Sequence, residues 1–364
     1  MFWLPVVIYA LLLLLVAYFL HSSGDDEDYF LAGHRIRTLP SLVSVVATET
    51  SVATIVVFPA TGLAHDFKIF WLCLGFIAGR ALVALWVLPA LYGRAGLTIY
   101  ETISGSSLAR RIISFSYLMA KFLSSGVRFY IAVYAMNKLF PWSTGGWIIA
   151  VALVAGLYSL SGGLRSVVLT DQLQALIIVA MGAILCVQFF TPRDFAWVDL
   201  TLHKEGFLDY SLNSMALLFG GMLLTIGTHG ADQDTLQRIL STRSLASARR
   251  SLFISGFVAS LVILLFTALG TGLQGHDPRS PLIDYFARRG LDFFSGCFVV
   301  LLLAAAMSTI DSMIHSTGAV WKSALGIRRT GRWFSAASLF LVSLSAFIFS
   351  LLADRFHSLL DLAM

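Results

Sequence analysis

Hydroxyl-bearing residues interrupt a long apolar run in the last third of the sequence. Four residues of the segment LLAAAMSTIDSMIHS, which begins at Leu302, are spaced i, i+3, i+4 and i+7: Ala305, Ser308, Thr309 and Ser312. This spacing places them on one face of a helix. Carbonyl and hydroxyl oxygens gathered on one face suit a hard cation such as Na⁺ better than a transition metal.

The composition predicts an all-α polytopic membrane protein. The 364-residue chain is 58% apolar and only 12% charged, with a mean hydropathy of +0.83, whereas a soluble domain is about 25% charged. Several apolar stretches approach the roughly 20 residues that a helix needs to cross a bilayer. Polar groups at membrane depth are costly, so the hydroxyl-bearing face indicates an ion or solute pathway.

Ten membrane spans are predicted, and their connections predict an orientation. The spans lie near 3–21, 41–63, 69–91, 113–139, 146–161, 167–190, 212–231, 251–272, 293–321 and 333–353. The first lacks the basic start and the cleavage site of a signal peptide, so we interpret it as a retained span. Basic residues concentrate in the connections on one side, which is therefore expected to be cytoplasmic. These residues are Arg35, Arg37, Arg94, Arg110, Arg111, Arg165, Arg238, Arg243, Arg249, Arg250, Lys322, Arg328, Arg329 and Arg332. Because they lie in short loops between spans, the basic pI does not indicate nucleic-acid binding.

Two predicted spans contain helix-breaking sequences at corresponding positions. The second span reads SVVATETSVATIVVFPATG, and the seventh reads GGMLLTIGTHGADQD, with Gly227 and Gly230 around Thr228 and His229. Interrupted helices five spans apart are typical of transporters built from inverted repeats. An unwound backbone is tolerated in a membrane only where it lines a site. We therefore expect one transmembrane domain over 1–364, with a leading helix at 3–21, a first repeat at 41–190 and a second, incomplete repeat at 212–353.

Five stretches together resemble the sodium/solute symporter family, which contains bacterial proline, sialic-acid and sugar symporters. They are DYFLAG at 28–33, ATETSVAT at 47–54, SGGLRSVVLTDQLQ at 161–174, DQDTLQR at 232–238, and LLAAAMSTIDS at 302–312. The resemblance implies a LeuT-like fold, in which a leading helix precedes ten core helices in two inverted repeats. The second span is then core helix one, and the span with the hydroxyl-bearing face is core helix eight. Core helix ten should begin at HSLLDLAM, where the sequence stops, so core helices one to nine are expected here.

The resemblance also implies cation ligands. For the main Na⁺ site, the carbonyl ligands fall on Ala47, Thr50 and Ala305, and the hydroxyl ligands fall on Ser308 and Thr309. Both hydroxyls have the alternative of bonding carbonyls of their own helix. A second cation position, used by some members, falls on Asp171, with Ser312 as its neighbour. Asp311 replaces a serine of some relatives there, and it could strengthen cation binding, exchange a proton, or pair with Arg or Lys.

Solute contacts and an inner gate complete the expected sites. The candidate solute-binding residues are Glu49, Thr54, Arg128, Thr228 and His229. For Arg128 and Lys121, pairing with Asp232 or Glu49 is the structural alternative; for Thr228 and His229, it is helix packing. Asp232, Gln233, Gln237 and Arg238 are expected to form a cytoplasmic gate network.

The predicted function is sodium-coupled symport of a small organic solute by alternating access in the inner (plasma) membrane. The alternative is a symporter-like membrane domain that senses a solute without productive transport. The sequence contains no constellation typical of an enzyme, and Na⁺ is the expected coupling ion. The lipid bilayer and the solute are the expected partners, and a homo-oligomer is a further possibility. An organic anion, an amino acid and a sugar all remain open as the solute.

Overall fold

The computed structural model describes residues 1–19, 25–64, 67–94, 96–189, 211–326 and 330–352. Within these residues, the structure consists of helices and their connections, and the one strand-like feature is an isolated bridge between Ile36 and Thr242. The expectation about core helix ten falls on 353–364, which lie outside the described residues. The division into two repeats over 41–190 and 212–353 stays a prediction.

The long helices follow the expected order. The leading helix is Trp3–Phe19, and core helix one consists of Thr38–Glu49 and Val52–Leu63. The others, in chain order, are core helix two at Ile69–Leu91, three at Ser107–Leu139, four and five within Thr144–Phe189, six at Leu212–Gly230 and Gln233–Leu240, seven at Leu245–Gly270, eight at Phe293–Leu325, and nine at Gly331–Leu352. Shorter helices lie at Asp26–Leu31, Ala32–His34, Ile99–Ile103 and Pro281–Arg289.

Core helices four and five form one continuous helical segment that turns sharply at Gly163. This glycine has a φ of 64°, in the left-handed region that other residues rarely adopt. A Cβ at this position would also lie 2.5 Å from the carbonyl oxygen of Tyr29. Only glycine fits, so the helix bends here and Tyr29 packs against the bend.

Fewer helices than the ten predicted spans have the length and apolar composition to cross a membrane. Among the described residues, six helices qualify, or seven if the two halves of core helix one count as one span. One of these six is Thr144–Gln188, which the bend at Gly163 divides into two predicted spans. The leading helix has only 17 residues, and core helix three, with Lys121 and Arg128 at mid-length, is not among the six. The chain is therefore polytopic, and the count of ten stays a prediction.

The break in core helix six lies slightly beyond the position expected from its glycines. The first half continues through Thr228 and His229 to Gly230, and the second half begins at Gln233. The carboxylate of Asp232 accepts a hydrogen bond from the amide of Asp234 at 2.9 Å. This N-cap starts a new helix, so the capping residue and not the glycine pair fixes the position of the break.

Core helix eight lies at the centre of the bundle. In its most apolar window 78% of the residues are buried, against 28% in core helix nine. Core helices three, five and nine and the leading helix pack around it. A helix that is apolar on all sides is stable when it is surrounded by other helices. Its few polar residues therefore lie deep in the protein, where they need partners.

Candidate ion and solute site

Core helix one breaks at the positions of two predicted ligand carbonyls. Its two halves meet at an angle of 64°. The amide of Ser51 donates to the carbonyl of Glu49 at 2.9 Å, and the amide of Thr54 donates to that of Ser51 at 2.9 Å. In an unbroken helix these amides would donate to Ala47 and Thr50. The break thus releases the carbonyls of Ala47 and Thr50 from these helical bonds.

The broken segment faces core helix eight. The hydroxyl of Thr309 lies 3.5 Å from the carbonyl oxygen of Thr48, and it donates to the carbonyl of Ala305 at 3.1 Å. Ala305 and Thr309 are both buried. The structure therefore brings these two predicted ligands to the break in core helix one. The bond from Thr309 to Ala305 is the helix-internal alternative, and a hydroxyl that makes it can still accept a cation with its lone pairs.

The chemistry of this face fits Na⁺. Its donors are backbone carbonyls and a hydroxyl, which are neutral hard oxygens. Among the described residues, no cluster of three or more His, Cys, Asp or Glu side chains could hold a metal ion. Neutral oxygens suit a monovalent hard cation, and the assignment of Ala47, Thr50, Ala305 and Thr309 as Na⁺ ligands stays a prediction.

The hydroxyl of Ser308 is directed towards core helix five. It donates to Oδ1 of Asp171 at 2.6 Å, and both residues are fully buried. Ser312, one turn further on, donates to the carbonyl of Ser308 at 2.5 Å and lies 3.0 Å from the hydroxyl of Thr48. The structure thus places the hydroxyl of Ser308, which was predicted for the main Na⁺ site, beside Ser312 at the predicted second cation position.

The guanidinium of Arg238 lies at that same position. Its Nη2 is 3.4 Å from Oδ2 of Asp171 and donates a hydrogen bond to Ser312. Its Nε donates to Ser44 at 2.8 Å, and its Nη1 lies 3.1 Å from Oδ1 of Asp234. The side chain is only 1% exposed. A built-in cation therefore neutralises Asp171 and joins core helix six to core helices one, five and eight.

Asp311 is buried beside this cluster without an ion-pair partner among the described residues. Its Oδ2 accepts a hydrogen bond from the hydroxyl of Tyr158 at 2.6 Å. Its Oδ1 is buried and accepts no hydrogen bond from the described part of the chain. Pairing with Arg or Lys, one of the alternatives for this residue, is not what the structure shows.

A cavity of about 430 Å³ adjoins the break in core helix one. Glu49 lines it and forms an ion pair with Arg80 of core helix two. The other carboxylate oxygen of Glu49 lies 2.5 Å from Nε2 of His229. These three residues join core helices one, two and six. Glu49 therefore already has two cationic or hydrogen-bonding partners in the protein.

Two further cations lie along the cavity, on core helix three. Nζ of Lys121 lies 2.8 Å from Asp232 and 3.3 Å from Asp234. Arg128 also lines the cavity, but its side chain is exposed and has no oppositely charged partner among the described residues. Lys121 therefore forms the kind of structural ion pair that was the alternative to a role in solute binding. Arg128 does not form such a pair among the described residues.

The remaining predicted solute contacts also line the cavity. Thr54 lies 3.5 Å from the carbonyl of Glu49, and Thr228 donates to the carbonyl of Leu224 at 3.0 Å. The Thr228 hydroxyl is also 2.9 Å from Nδ1 of His229. With Glu49 and Arg128, the structure thus brings all five candidate solute-binding residues to one cavity.

The predicted gate residues separate into two groups. Gln237 donates to the carbonyl of Phe30 at 2.6 Å, and Gln233 donates to that of Leu97 at 3.1 Å. Together with Arg238, these residues attach the second half of core helix six to neighbouring segments. Asp232 instead lines the cavity and pairs with Lys121.

Sequence analysis missed two residues that lie at the predicted second cation position. Ser44 donates to Asp171 and accepts from Arg238, and Tyr158 is the hydrogen-bond donor to Asp311. The spacing of Ser41, Ser44 and Thr48 on one helical face was a signal for Ser44. Tyr158 gives no such signal, because it is a single polar group in an apolar run.

Known proteins match most of the chain. A family model described as "Sodium:solute symporter family" matches residues 29–278. The human sodium/iodide cotransporter is 23% identical over 330 residues, which are 82% of this chain and 51% of the relative. The sodium/sialic acid symporter SiaT of Proteus mirabilis is 23% identical over 86% of this chain and 68% of its own length. A sodium-coupled monocarboxylate transporter 2 of Danio rerio is 25% identical, over 82% of this chain and 52% of its own length. The chain spans about half the length of the human and the Danio rerio relatives.

Solved structures match the fold. A Na⁺-coupled sialic acid symporter in a substrate-bound outward-open state gives a TM-score of 0.86 at 19% identity, covering 96% of this chain and 82% of the other. A manganese transporter of Eremococcus coleocola gives a TM-score of 0.56 at 13% identity, covering 92% and 75%. At these identities the likeness concerns the fold alone, and it confirms the predicted LeuT-like arrangement.

Proposed function

Because the chain belongs to the sodium:solute symporter family, we propose that it is a multi-pass protein of the cell's inner membrane that couples Na⁺ entry to uptake of a small organic solute. The single observation that supports this most strongly is the break in core helix one facing core helix eight. There, Thr309 lies 3.5 Å from the carbonyl of Thr48, and the carbonyls of Ala47 and Thr50 lack their usual helical donors.

Na⁺ at this break would couple the ion to the solute. The ion would join core helix eight to core helix one, whose Glu49, Ser51 and Thr54 line the adjacent cavity. An ion that binds one arrangement of these helices more tightly than another shifts the population towards that arrangement. We propose that Na⁺ favours the arrangement in which the cavity can accept the solute.

The charges along the cavity favour an organic anion as the solute. Glu49 is paired with Arg80, and Lys121 is paired with Asp232 and Asp234. Arg128 keeps an exposed guanidinium on the cavity wall without a carboxylate partner among the described residues. A guanidinium binds a carboxylate through two parallel hydrogen bonds. We therefore propose that Arg128 holds the acidic group of the solute.

The solutes in the names of the relatives are consistent with a negatively charged solute. The human relative is named for iodide, the Proteus mirabilis relative for sialic acid, and the Danio rerio relative for monocarboxylates. Each of these solutes carries a negative charge at neutral pH. Because identity is low, the relatives support an anionic solute and do not select one anion.

A second cation is proposed to compete with Arg238 at Asp171. The carboxylate of Asp171 accepts hydrogen bonds from Ser308 and Ser44 and is paired with the guanidinium. A buried carboxylate that stays ionised without a compensating charge is strongly destabilised. If core helix six moves away during transport, Na⁺ or a proton must replace the guanidinium.

Uptake into proteoliposomes tests the function. The purified chain is reconstituted, and uptake of radiolabelled sialic acid and of short monocarboxylates is measured with an inward gradient of Na⁺ or of choline. Na⁺-dependent accumulation above the external concentration is the expected result. Na⁺-dependent binding to the purified protein without accumulation would instead support the solute-sensing alternative, and neither binding nor accumulation of any acid would contradict the anionic solute.

A further inference from the structure

A second cavity, of about 480 Å³, lies away from the ion and solute site. It lies at the end of the bundle that is predicted to be cytoplasmic. Four exposed arginine side chains line it: Arg35, Arg37, Arg165 and Arg243. They come from three different parts of the chain, namely the segment before core helix one, the start of core helix five, and the connection after core helix six. Neither the proposed symport nor the gate network uses these arginines.

The backbone holds this basic cavity in a defined shape. Ile36 forms a bridge with Thr242, in which the amide of Ile36 donates to Ser241 at 3.2 Å and the amide of Arg243 donates to Ile36 at 3.3 Å. Nε of Arg243 also donates to the carbonyl of Arg35 at 3.0 Å. Arg35, Arg37 and Arg243 therefore lie in or beside this paired backbone, and core helix five brings Arg165 to the same cavity.

The positive charge of the cavity is mostly uncompensated. Among the described residues, the ion pair formed by these four arginines is that of Arg165 with Asp28, at 3.6 Å and with both side chains partly exposed. Such an exposed pair contributes little to stability. Four guanidinium groups along one cavity repel one another, so an anion with several oxygens would relieve the repulsion and accept several hydrogen bonds.

An apolar stripe continues from the cavity along core helix five. Arg165, Leu169, Gln172, Leu176 and Val179 are spaced i, i+4, i+7, i+11 and i+14, so they share one face of the helix. Leu169, Leu176 and Val179 are 43%, 66% and 53% exposed. In a membrane this stripe faces the acyl chains of the lipid. The basic cavity lies at the end of this stripe, on the side predicted to be cytoplasmic, where a lipid headgroup would meet it.

We propose that the cavity binds the phosphate headgroup of an anionic phospholipid of the inner leaflet. Arg35, Arg37, Arg165 and Arg243 would hold the phosphate, with an acyl chain along Leu169 and Leu176. Guanidinium groups bind phosphate oxygens in pairs, and basic pockets between membrane helices on the cytoplasmic side suit anionic headgroups. A lipid fits better than free phosphate, because the apolar stripe continues the site into the bilayer.

A bound headgroup would also act on the gate. Arg243 follows directly after the second half of core helix six, which carries Gln237 and Arg238. Arg35 and Arg37 precede core helix one, and Arg165 begins core helix five. A phosphate that contacts all three segments stabilises the arrangement in which they lie together. Anionic lipid should therefore oppose separation of these segments on the cytoplasmic side.

Lipid titration of the purified full chain in detergent tests the proposal. Thermal stability is measured with increasing phosphatidylglycerol, with phosphatidylcholine of the same acyl chains, and with inorganic phosphate. The variant is Arg37→Gln with Arg165→Gln, which keeps the backbone pairing and the bond of Arg243. The control is Arg111→Gln with Arg250→Gln, which removes two exposed charges on the same side but outside the cavity.

We expect phosphatidylglycerol to stabilise the unmodified protein and phosphatidylcholine to have little effect. The cavity variant should need about 25-fold more phosphatidylglycerol for half of the effect, roughly fivefold for each guanidinium removed. The control should stay close to the unmodified protein. An equal loss in both variants would reduce the effect to general surface charge and overturn the proposal. Equal stabilisation by inorganic phosphate would also overturn it, because the site would then take a free anion. If the cavity variant is unstable without lipid, native mass spectrometry is used to measure how much phosphatidylglycerol each protein retains. The cavity variant should then retain less than the control, and equal retention would overturn the proposal.

Discussion

Nη2 of Arg238 lies 3.4 Å from Oδ2 of Asp171 in an ion pair that is almost completely shielded from solvent. The guanidinium also donates to Ser312, a residue predicted from the sequence to serve a second cation. A cation that binds at Asp171 must therefore displace Arg238. Since Arg238 belongs to the second half of core helix six, the proposed cation binding at this position would be linked to movement of that half helix.

The first prediction concerns Arg238→Gln. Removing the guanidinium leaves Asp171 buried without its partner, which typically costs about 3–5 kcal/mol. We expect the variant to be markedly less stable in choline and to recover much of that loss in Na⁺, because the ion can replace the guanidinium. The measurement is the melting temperature of the purified protein in the two salts. In Arg238→Gln with Asp171→Asn, the stabilisation by Na⁺ should fall to that of the unmodified protein, which the proposed main site provides; a larger stabilisation would show that the additional Na⁺ acts elsewhere.

The second prediction separates Thr309 from its neighbours on core helix eight. Thr309→Ala should raise the Na⁺ concentration for half-maximal uptake about tenfold, because one oxygen ligand of a desolvated ion is lost. Uptake at several Na⁺ concentrations gives this value. Ser316→Ala is the control, since Ser316 is also buried on core helix eight and its hydroxyl donates to Met313 of the same helix at 3.4 Å. A similar shift in both variants would show that helix packing and not ion ligation is affected.

The hydroxyl-bearing face of core helix eight could be predicted because it depends on local spacing. Ala305 and Thr309 are one i, i+4 pair, and Ser308 and Ser312 are another, so the sequence gathers all four on one broad face. The division of that face between two neighbours could not be predicted. Thr309 meets core helix one and Ser308 meets Asp171 because of how three helices pack. The hydrogen-bond partner of Asp311 could not be predicted from the sequence either, since Tyr158 lies 153 positions away along the chain.

The third prediction concerns the stability at low pH of the connection between core helices seven and eight. His276, the amide of Asp277 and Arg288 all donate to Oδ2 of Asp284. Partial burial opposes ionisation, but these bonds outweigh it and hold the pKa of Asp284 below its usual value. A lowered pKa stabilises the folded state above the pKa of the unfolded chain, and this contribution is lost as the pH falls through the lowered value.

Asp284→Asn should therefore melt below the unmodified protein at pH 7, and the difference should shrink at pH 3. The effect is expected to be below about 1 kcal/mol, because the site is open to solvent. Thermal melts of both proteins at the two pH values provide the measurement. Asp277→Asn is the matched control, and a difference for Asp284→Asn that is unchanged at pH 3 would refute the assignment.

The fourth prediction concerns the contact of core helices two and six. A Cβ on Gly221 would lie 2.7 Å from the carbonyl oxygen of Leu72, whereas a Cβ on the adjacent Gly220 would meet nothing within 4 Å. Gly221→Ala should therefore separate the two helices and destabilise the protein by about 1–3 kcal/mol. Gly220→Ala should leave the stability unchanged or slightly increase it. Thermal melting in detergent distinguishes them, and equal stability of the two variants would contradict the close contact.

The last prediction concerns Arg128 and the charge of the solute. Because this guanidinium has no oppositely charged partner among the described residues, its replacement should leave the fold intact. Arg128→Lys should weaken binding of an acidic solute about tenfold or more, since an ammonium cannot reproduce two parallel hydrogen bonds. Arg128→Ala should weaken it further. Binding of each acid and of its neutral amide is measured by calorimetry on the purified variants. The amide should bind almost equally to all forms, and a loss for the amide as large as that for the acid would show that Arg128 shapes the cavity without holding the charge.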